Sequence, residues 1–389
     1  MFVTFPLWFS LCLVFFGVPV LYYLYMKRYA LRSWRLSIDE NYRPSVCILV
    51  PVHNEEKIIQ LKLRNLLRTT YPRDKVEVLL VNDASTDNSL GEINEFLSSN
   101  RDLNMRVINR TERSGKTNAL NYALKQTMAD VIVVSDADCF WPSDILERAM
   151  PYLSSSDVGA VAGFELLLNE QDSWVTKGEL LFDNIVHVIR LGESKAYATI
   201  NLQGGFAAYK RKVLGQFDVE CDDCGTALNI IQKNNRTLLL PEARFYTVFP
   251  DHWRSKITLK IRRASQLQHL WAKCLRSLLR GRNIVLPKRI ALPEIFLYLF
   301  NPIIFAVLIP LSILLVIEQP YFLLVFLVLF PVLLIAKSRE SFIETMQNNS
   351  ILLAAMASSI TNRKFGTWKP MQESRLLLNE RVLKDKQLI

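Results

Sequence analysis

The sequence predicts an α/β fold, with one domain built on a parallel-centred sheet and membrane-spanning helices at both ends of the chain. Two observations lead to this prediction. Between residues 45 and 135, short apolar runs rich in β-branched residues alternate with segments of helical character. Half of the 389 residues are apolar, and they concentrate near the two ends in uncharged stretches long enough to cross a bilayer.

Four apolar runs are predicted to be buried strands, because continuous apolar sequence of this kind is typical of a parallel sheet covered on both faces. Their alternation with helices implies a right-handed, doubly wound arrangement. A later stretch, residues 236 to 248, is also rich in β-forming residues. The strands are expected at residues 45 to 52, 76 to 81, 105 to 109 and 131 to 135, and the helices at about 56 to 68, 87 to 98 and 117 to 128.

The fourth run ends in two carboxylates, Asp136 and Asp138. In open α/β sheets, ligands bind beyond the carboxyl ends of the strands. Both carboxylates can approach one hard cation that carries substrate phosphate oxygens, so a metal-diphosphate site is the leading hypothesis. The alternative is a solvated pair that caps a helix beginning near Pro142.

Polar residues that follow the other strands are expected at the same edge of the sheet. Asp83 can accept hydrogen bonds from a base or a ribose. Lys116 follows Gly115 at a helix start, where backbone N–H groups and a positive charge suit an anionic ligand. His53 and Glu55 are equally well explained as polar loop residues. Together these positions predict a nucleotide site.

Several classes of site are excluded or disfavoured. No GxxxxGK[ST] exists, so a P-loop is excluded, and no GxGxxG follows the first strand. Cys221 and Cys224 have CxxC spacing, but no second pair or histidine cluster completes a zinc site, and the six cysteines form no disulfide framework. The net charge of +10 suits anionic lipid and phosphorylated substrate, and no aromatic-interleaved basic motif indicates nucleic-acid binding.

The first apolar stretch, residues 5 to 26, is predicted to be a membrane anchor, since it lacks the basic n-region of a cleaved signal peptide. Two further stretches, residues 295 to 316 and 321 to 336, are predicted to form a transmembrane hairpin. Basic residues follow the first span, precede the second and follow the third, and such residues are retained on the cytoplasmic side. The chain is therefore expected to be an integral cell-membrane protein, with its N-terminus outside and residues 27 to 290 in the cytoplasm.

Two further helices are expected, and with the membrane segments they divide the chain into five parts. Residues 253 to 279 are expected to form a basic amphipathic helix at the membrane interface, with a solvated membrane-surface helix as the alternative. Residues 350 to 360 are expected to form an interfacial or re-entrant helix, with a fourth crossing as the alternative. The parts are an anchor at residues 1 to 26, a cytoplasmic domain at 27 to 255, an interfacial region at 256 to 290, the hairpin at 291 to 336 and a cytoplasmic tail at 337 to 389.

The order and spacing of the motifs resemble glycosyltransferase family 2, in the membrane-bound branch that includes hyaluronan, poly-N-acetylglucosamine and cellulose synthases and ceramide glucosyltransferase. The resemblance covers roughly residues 44 to 290, and it implies a GT-A-like fold for the nucleotide-binding domain. The matching motifs are PVHNE at residues 51 to 55, DASTD at 83 to 87, GKTNALN at 115 to 121, DAD at 136 to 138, QGGF at 203 to 206 and CDD at 221 to 223.

This resemblance implies roles on the donor side. Asp83 and Lys116 would hold the nucleobase end of a nucleotide sugar. Asp136 would lie near the ribose and the metal, and Asp138 would coordinate the metal, which would be Mg²⁺ or Mn²⁺.

On the acceptor side, Asp223 would be the general base that takes a proton from the acceptor hydroxyl, in a single inverting displacement. Asp222 stands where the family has glutamate. Two adjacent acids disfavour each other's ionisation, which raises the pKa of one towards usefulness as a base. The alternative is that Asp222 and Asp223 cap the helix that follows, a role compatible with catalysis.

Further contacts follow from the same resemblance. Arg262 and Arg263 resemble the family's basic cluster, which neutralises the leaving diphosphate. Processive synthases carry QxxRW in the next turns, whereas this chain reads QLQHLW at residues 266 to 271, with Leu270 in place of arginine. Trp271 is expected to stack on a sugar acceptor. The remaining residues expected to bind substrate are Pro51, Asn54, Glu55, Gln203, Gly204 and Gly205.

These features predict a membrane-embedded inverting glycosyltransferase. It is expected to move a sugar from a nucleotide donor, expected to be UDP-linked, to a lipid or glycan acceptor at the cytoplasmic face. A processive polysaccharide synthase is one alternative, although three spans make a channel hard to build without oligomerisation. A catalytically inactive membrane scaffold that binds nucleotide sugars is another, and the presence of all the expected acidic site residues in one chain argues against it.

Overall fold

The computed structural model describes residues 4 to 100, 104 to 324, 336 to 360 and 372 to 389. A seven-stranded sheet lies at its centre. The strands are β1 (Val46–Val52), β2 (Val76–Asp83), β3 (Met105–Arg110), β4 (Val131–Val134), β5 (Val158–Leu167), β6 (Ala207–Lys210) and β7 (Arg236–Thr247).

Helices cover both faces of the sheet and extend beyond it. Short 3₁₀ turns occupy Arg73–Lys75 and Met150–Ser154, and Phe296–Phe300 is a π-helical turn. The α-helices are α1 (Thr4–Ala30), α2 (Ile59–Leu67), α3 (Ser89–Ser99), α4 (Lys116–Leu124), α5 (Ile145–Ala149), α6 (Trp174–Ala196), α7 (Arg211–Leu214), α8 (Asp222–Gln232), α9 (Trp253–Leu279), α10 (Lys288–Ile295), α11 (Asn301–Glu318), α12 (Ala336–Ile360), α13 (Gln372–Leu377) and α14 (Glu380–Asp385).

The strand order is β3-β2-β1-β4-β6-β5-β7. Strands β3, β2, β1 and β4 are mutually parallel, which confirms the predicted parallel centre. Strand β6 runs antiparallel to both of its neighbours, so the sheet is mixed. Neither β5 nor β6 was predicted as a strand, because their alanine- and glycine-rich sequences have low β-propensity and are held in the sheet by their neighbours.

Alternate residues of β1 point to opposite faces of the sheet, as strand geometry requires. Cys47 and Leu49 belong to the core cluster that includes residues of α4, whereas Val46, Ile48 and Val50 belong to the cluster that includes residues of α2. Both faces are therefore buried, as predicted. Burial on both faces fixes the parallel strands in register and brings their carboxyl ends to one edge.

Two helical stretches, α1 and Lys288–Glu318, are long and apolar enough to cross a membrane by length and composition. They pack together: Trp8 Nε1 donates to Ser312 Oγ over 2.8 Å, and the Phe15 and Phe305 rings stack. Most of the span predicted at residues 321 to 336 lies outside the described residues. That span and the orientation across a membrane stay predictions.

Residues 350 to 360 are helical and form the last turns of helix α12, which packs against α9. Whether they lie at, enter or cross a membrane stays a prediction. Buried charges join the two helices, since Lys256 Nζ lies 2.6 Å from Glu344 Oε1. Ala355 also packs with Ala264 in a small apolar cluster. Helix α9 therefore has a buried face, and its position relative to a membrane stays a prediction.

Candidate active site

A cavity of about 290 Å³ lies at the carboxyl ends of β1, β2 and β4. Helices α8, α9 and α13 supply part of the remaining wall, together with residues of β5 and α6 and the segments 201 to 204 and 247 to 250. Most of the residues singled out from the sequence meet there. Those that line the cavity are Pro51, Glu55, Asp83, Lys116, Asp136, Asp138, Gln203, Gly204, Asp222, Asp223, Arg262 and Arg263.

Lys116 joins two of the acidic motifs. Its Nζ lies 2.7 Å from Asp136 Oδ1 and 3.9 Å from Asp223 Oδ2. Gly204 lies against all three side chains: a Cβ there would clash with Lys116 Nζ and lie 2.9 Å from Asp136 Oδ2 and 3.0 Å from Asp223 Oδ2. Glycine is thus the residue that allows these charged groups to converge. Lys116 was expected at the nucleobase end, but in the structure its ammonium lies among the carboxylates.

The carboxylate pair after β4 suits a divalent cation. Ligand atoms of Asp136, Asp138 and Cys139 lie within 4.8 Å of one another. Carboxylate oxygens are the donors that Mg²⁺ and Mn²⁺ prefer. Burial raises the pKa of the Cys139 thiol well above its usual value, so its sulfur stays protonated and is a poor ligand. The two aspartates fit the predicted metal.

Asp222 and Asp223 occupy the first turn of α8. The backbone at Asp222 is left-handed, with φ of 34°, and its carboxylate accepts a hydrogen bond from the Thr117 hydroxyl. Burial raises the pKa of Asp223 to about 6, with Asp222 and Asp136 adding to the effect and Lys116 opposing it. A carboxylate with that pKa is ionised at neutral pH and basic enough to accept a proton.

Asp83 holds the loop that carries Lys116. Its carboxylate accepts hydrogen bonds from the backbone N–H groups of Ser114, over 3.0 Å, and Gly115, over 2.7 Å. Gly115 has a φ of 89°, a conformation that L-residues with a side chain rarely adopt. Asp83 lines the cavity as expected, but these bonds give it a structural function in addition to any contact with a base.

Glu55 pairs with a residue that sequence reasoning missed. Its two carboxylate oxygens accept hydrogen bonds from Arg375 Nε, over 2.8 Å, and Nη2, over 2.6 Å. Arg375 Nη1 donates to Asp138 Oδ2 over 2.5 Å. Arg375 is 320 residues from Glu55 in sequence and outside all six motifs. No local pattern distinguishes it from the other basic residues near the end of the chain.

A second part of the cavity contains Gln203, Glu165 and Arg190. Gln203 Nε2 donates to Glu165 Oε2 over 2.7 Å. Gln203 Oε1 is buried and has no hydrogen-bond partner among the described residues. A buried amide oxygen of this kind is available to a ligand hydroxyl. Sequence reasoning found Gln203 but not Arg190.

Three expected site residues do not line the cavity. Asn54 stabilises a turn, with φ of 57° and its Oδ1 accepting from Thr86 N over 2.8 Å. Gly205 lies against the Phe245 ring, where a side chain would clash. Trp271 is 0% exposed in the core, because the apolar face of α9 packs onto the domain. The expected stacking of Trp271 on a sugar is therefore wrong.

Comparison with known proteins identifies the family of the chain. Residues 47 to 217 match the model for glycosyl transferase family 2. The chain is 34% identical over 136 residues to a β-monoglucosyldiacylglycerol synthase of Synechocystis, covering 35% of this chain and 28% of that protein. It is 25% identical over 208 residues to a poly-β-1,6-N-acetyl-D-glucosamine synthase of Staphylococcus epidermidis, covering 52% and 48%.

The chain thus spans less than half the length of these two relatives. A solved structure is similar over a much larger part: a mannosyltransferase of Pyrobaculum calidifontis in complex with GDP-Man and Mn²⁺. The mannosyltransferase is 30% identical to this chain and superposes with a TM-score of 0.79. The match covers 93% of this chain and 100% of the mannosyltransferase. Likeness of this extent, joined to the family match, shows that the chain belongs to glycosyl transferase family 2.

Proposed function

We propose that the protein is a membrane-associated inverting glycosyltransferase that moves a sugar from a nucleotide-sugar donor to a lipid-linked acceptor. One observation carries the proposal. The expected metal ligands Asp136 and Asp138 and the candidate base Asp223 line one cavity, with Lys116 between the two sets of carboxylates. A donor-side cation site and an acceptor-side base are the two parts that a single displacement needs.

Asp223 would take the proton of the acceptor hydroxyl. The hydroxyl oxygen would at the same time attack the anomeric carbon of the donor sugar. The bond from that carbon to the diphosphate breaks on the opposite side, so the configuration inverts. A divalent cation held by Asp136 and Asp138 would neutralise charge on the leaving diphosphate. Arg262 and Arg263 line the same cavity and would stabilise that charge further.

Two lines of support favour a lipid acceptor. The apolar helices α1 and α10–α11 adjoin the catalytic domain, and α9 contributes residues both to the cavity and to the packing against α12. Leu259 and Leu267 of α9 give one wall of the cavity an apolar surface. The Synechocystis relative is named for synthesis of a glycolipid.

We propose the orientation that the basic flanking residues predict, with the catalytic domain in the cytoplasm.

The nucleobase that the donor carries can be determined directly. The sequence favours UDP, whereas the structural neighbour that matches nearly the whole chain holds GDP-Man. Purified protein in lipid nanodiscs would be given Mn²⁺ or Mg²⁺ and a panel of radiolabelled UDP- and GDP-sugars, with native membrane extract as acceptor. Asp223→Asn is the matched inactive control.

Each outcome has a distinct meaning. A discrete, organic-soluble product that the Asp223→Asn variant fails to make supports the proposal. A high-mass ladder would instead show a polysaccharide synthase. An absence of both transfer and nucleotide release with every donor would leave the scaffold as the better account.

A further inference from the structure

Arg375 enters the cavity from α13, far from the motifs that define the family. Its side chain is 3% exposed. Two of its nitrogens donate to the two oxygens of Glu55, and a third donates to Asp138 Oδ2. Pairing of this two-point kind fixes the plane of a guanidinium as well as its position. Arg375 is thus held rigidly beside one of the expected metal ligands.

Packing outside the cavity also holds Arg375 in place. Leu383 and Leu388 are buried in an apolar cluster with Ile58 and Phe140. The Asn65 side-chain amide donates to the Leu388 carbonyl over 2.6 Å. The chain after Arg375 is therefore anchored to α2 and to the loop after β4. We call residues 375 to 389 the C-terminal strap.

The pairing serves ligand binding better than it serves stability. A buried ion pair contributes little to net stability, because desolvation offsets the attraction between the charges. A guanidinium that is preoriented by a carboxylate, and whose other edge faces a metal ligand, is well placed for an anion bound to that metal. We propose that Arg375 is a donor-site residue that binds the diphosphate of the nucleotide sugar, with Glu55 as the residue that positions it.

An opposite arrangement is conceivable, in which Arg375 occupies the place of the cation and leaves when the cation binds. The contacts instead favour an Arg375 that keeps its position when the cation binds. Departure of Arg375 would strip Glu55, itself 2% exposed, of its two-point partner and leave a buried carboxylate uncompensated. To bind a diphosphate, Arg375 has to exchange only the hydrogen bond that its Nη1 donates to Asp138. The hydrogen bonds to Glu55 persist.

This inference rests on the proposed function, since it assumes a nucleotide-sugar donor. Calorimetry on the full-length protein with Mn²⁺ would measure the affinities of UDP and GDP. Ligand-observed NMR would compare uridine and guanosine, which lack phosphate. The variants are Arg375→Met, which keeps the stem but not the charge, and Arg375→Lys. Arg381→Met, at an exposed site on the same strap, is the matched control.

We expect Arg375→Met to weaken binding of the preferred nucleoside diphosphate by about 10- to 100-fold, the effect of losing a charged hydrogen bond to phosphate. Binding of the corresponding nucleoside should not change. Arg375→Lys should recover part of the loss, because lysine keeps the charge without the fork. Arg381→Met should bind as the wild type does.

Three results would overturn the inference. Equal weakening of nucleoside and nucleoside diphosphate would show that Arg375 only supports the fold. Unchanged binding would show that the diphosphate does not contact it, and tighter binding would show that it competes with the cation. If the wild type binds neither UDP nor GDP, the proposed function fails as well. If the wild type binds one and Arg375→Met retains that binding, only this inference fails.

Discussion

Lys116 Nζ and Asp136 Oδ1 lie 2.7 Å apart and join the start of α4 to the end of β4. The motifs that contain them are separated in sequence, and the parallel sheet brings them together. The ammonium also lies near Asp223, so it balances charge on both sides of the expected reaction.

The first prediction concerns Lys116→Met. Loss of the ammonium leaves Asp136 and Asp223 without their shared counter-ion, and we expect kcat/KM for sugar transfer to fall by roughly 100-fold or more. The control variant Lys125→Met, at an exposed position just after α4, should keep the wild-type kcat/KM. Steady-state kinetics on the two variants would check this, and equal activities would contradict it.

The second prediction is the pH dependence of transfer. Burial raises the pKa of Asp223 to about 6, and only its ionised form can accept a proton. The rate should therefore rise as the pH increases through about 6 and level off above it. Because Lys116 lowers this pKa, Lys116→Met should move the rise to higher pH. A pH profile of kcat at saturating donor gives the answer, and a rate that falls through pH 6 would refute Asp223 as the base.

The third prediction concerns Gly204→Ala. The added methyl would lie 2.9 Å from Asp136 Oδ2 and 3.0 Å from Asp223 Oδ2, closer than carbon and oxygen normally approach. We expect transfer to be nearly abolished while the protein remains folded, as judged by its melting temperature. Gly17→Ala, where a Cβ meets nothing within 4 Å, should retain full activity. Comparable activity in the two variants would show that the charged groups adjust.

The fourth prediction concerns the buried charges between α9 and α12. Lys256 is 0% exposed and pairs with Glu344 over 2.6 Å and with Glu179 over 3.4 Å. Lys256→Met should destabilise the protein by about 3–5 kcal/mol, because it leaves buried carboxylates uncompensated.

A double variant tests the cause of that loss. Lys256→Met with Glu344→Leu should recover part of the stability, since Glu179 keeps its 2.6 Å contact with Lys260. Denaturation of the single and double variants would compare them. A double variant less stable than the single one would contradict the pairing as the source of the effect.

Local sequence patterns predicted the parallel half of the sheet and the residues at its edge. The apolar runs of β1, β2 and β4 reflect burial on both faces, and the polar residues after them necessarily meet. Asp136, Asp138 and Lys116 could be found for that reason. Motif order, and not periodicity, identified Asp223, which lies in the first turn of α8.

The features that were missed depend on contacts between distant segments. Helical periodicity places Trp271 on a face of α9 but does not say what covers that face, and the domain core covers it. Strand β6 owes its conformation to pairing with β4 and β5. Arg375 meets its partners only through contacts 237 and 320 residues apart in sequence, so no neighbouring residue marks it.

The separation of Glu55 and Arg375 has a consequence for biosynthesis. A ribosome adds the 320 residues between them in roughly 15 to 60 seconds at ordinary elongation rates of about 5–20 residues per second. The nascent domain must spend that interval with Glu55 awaiting its guanidinium partner, and Asp138 waits for the shorter time needed to add 237 residues. A premature stop codon between positions 290 and 375 would therefore release a chain that contains every family motif and still lacks Arg375 in its cavity.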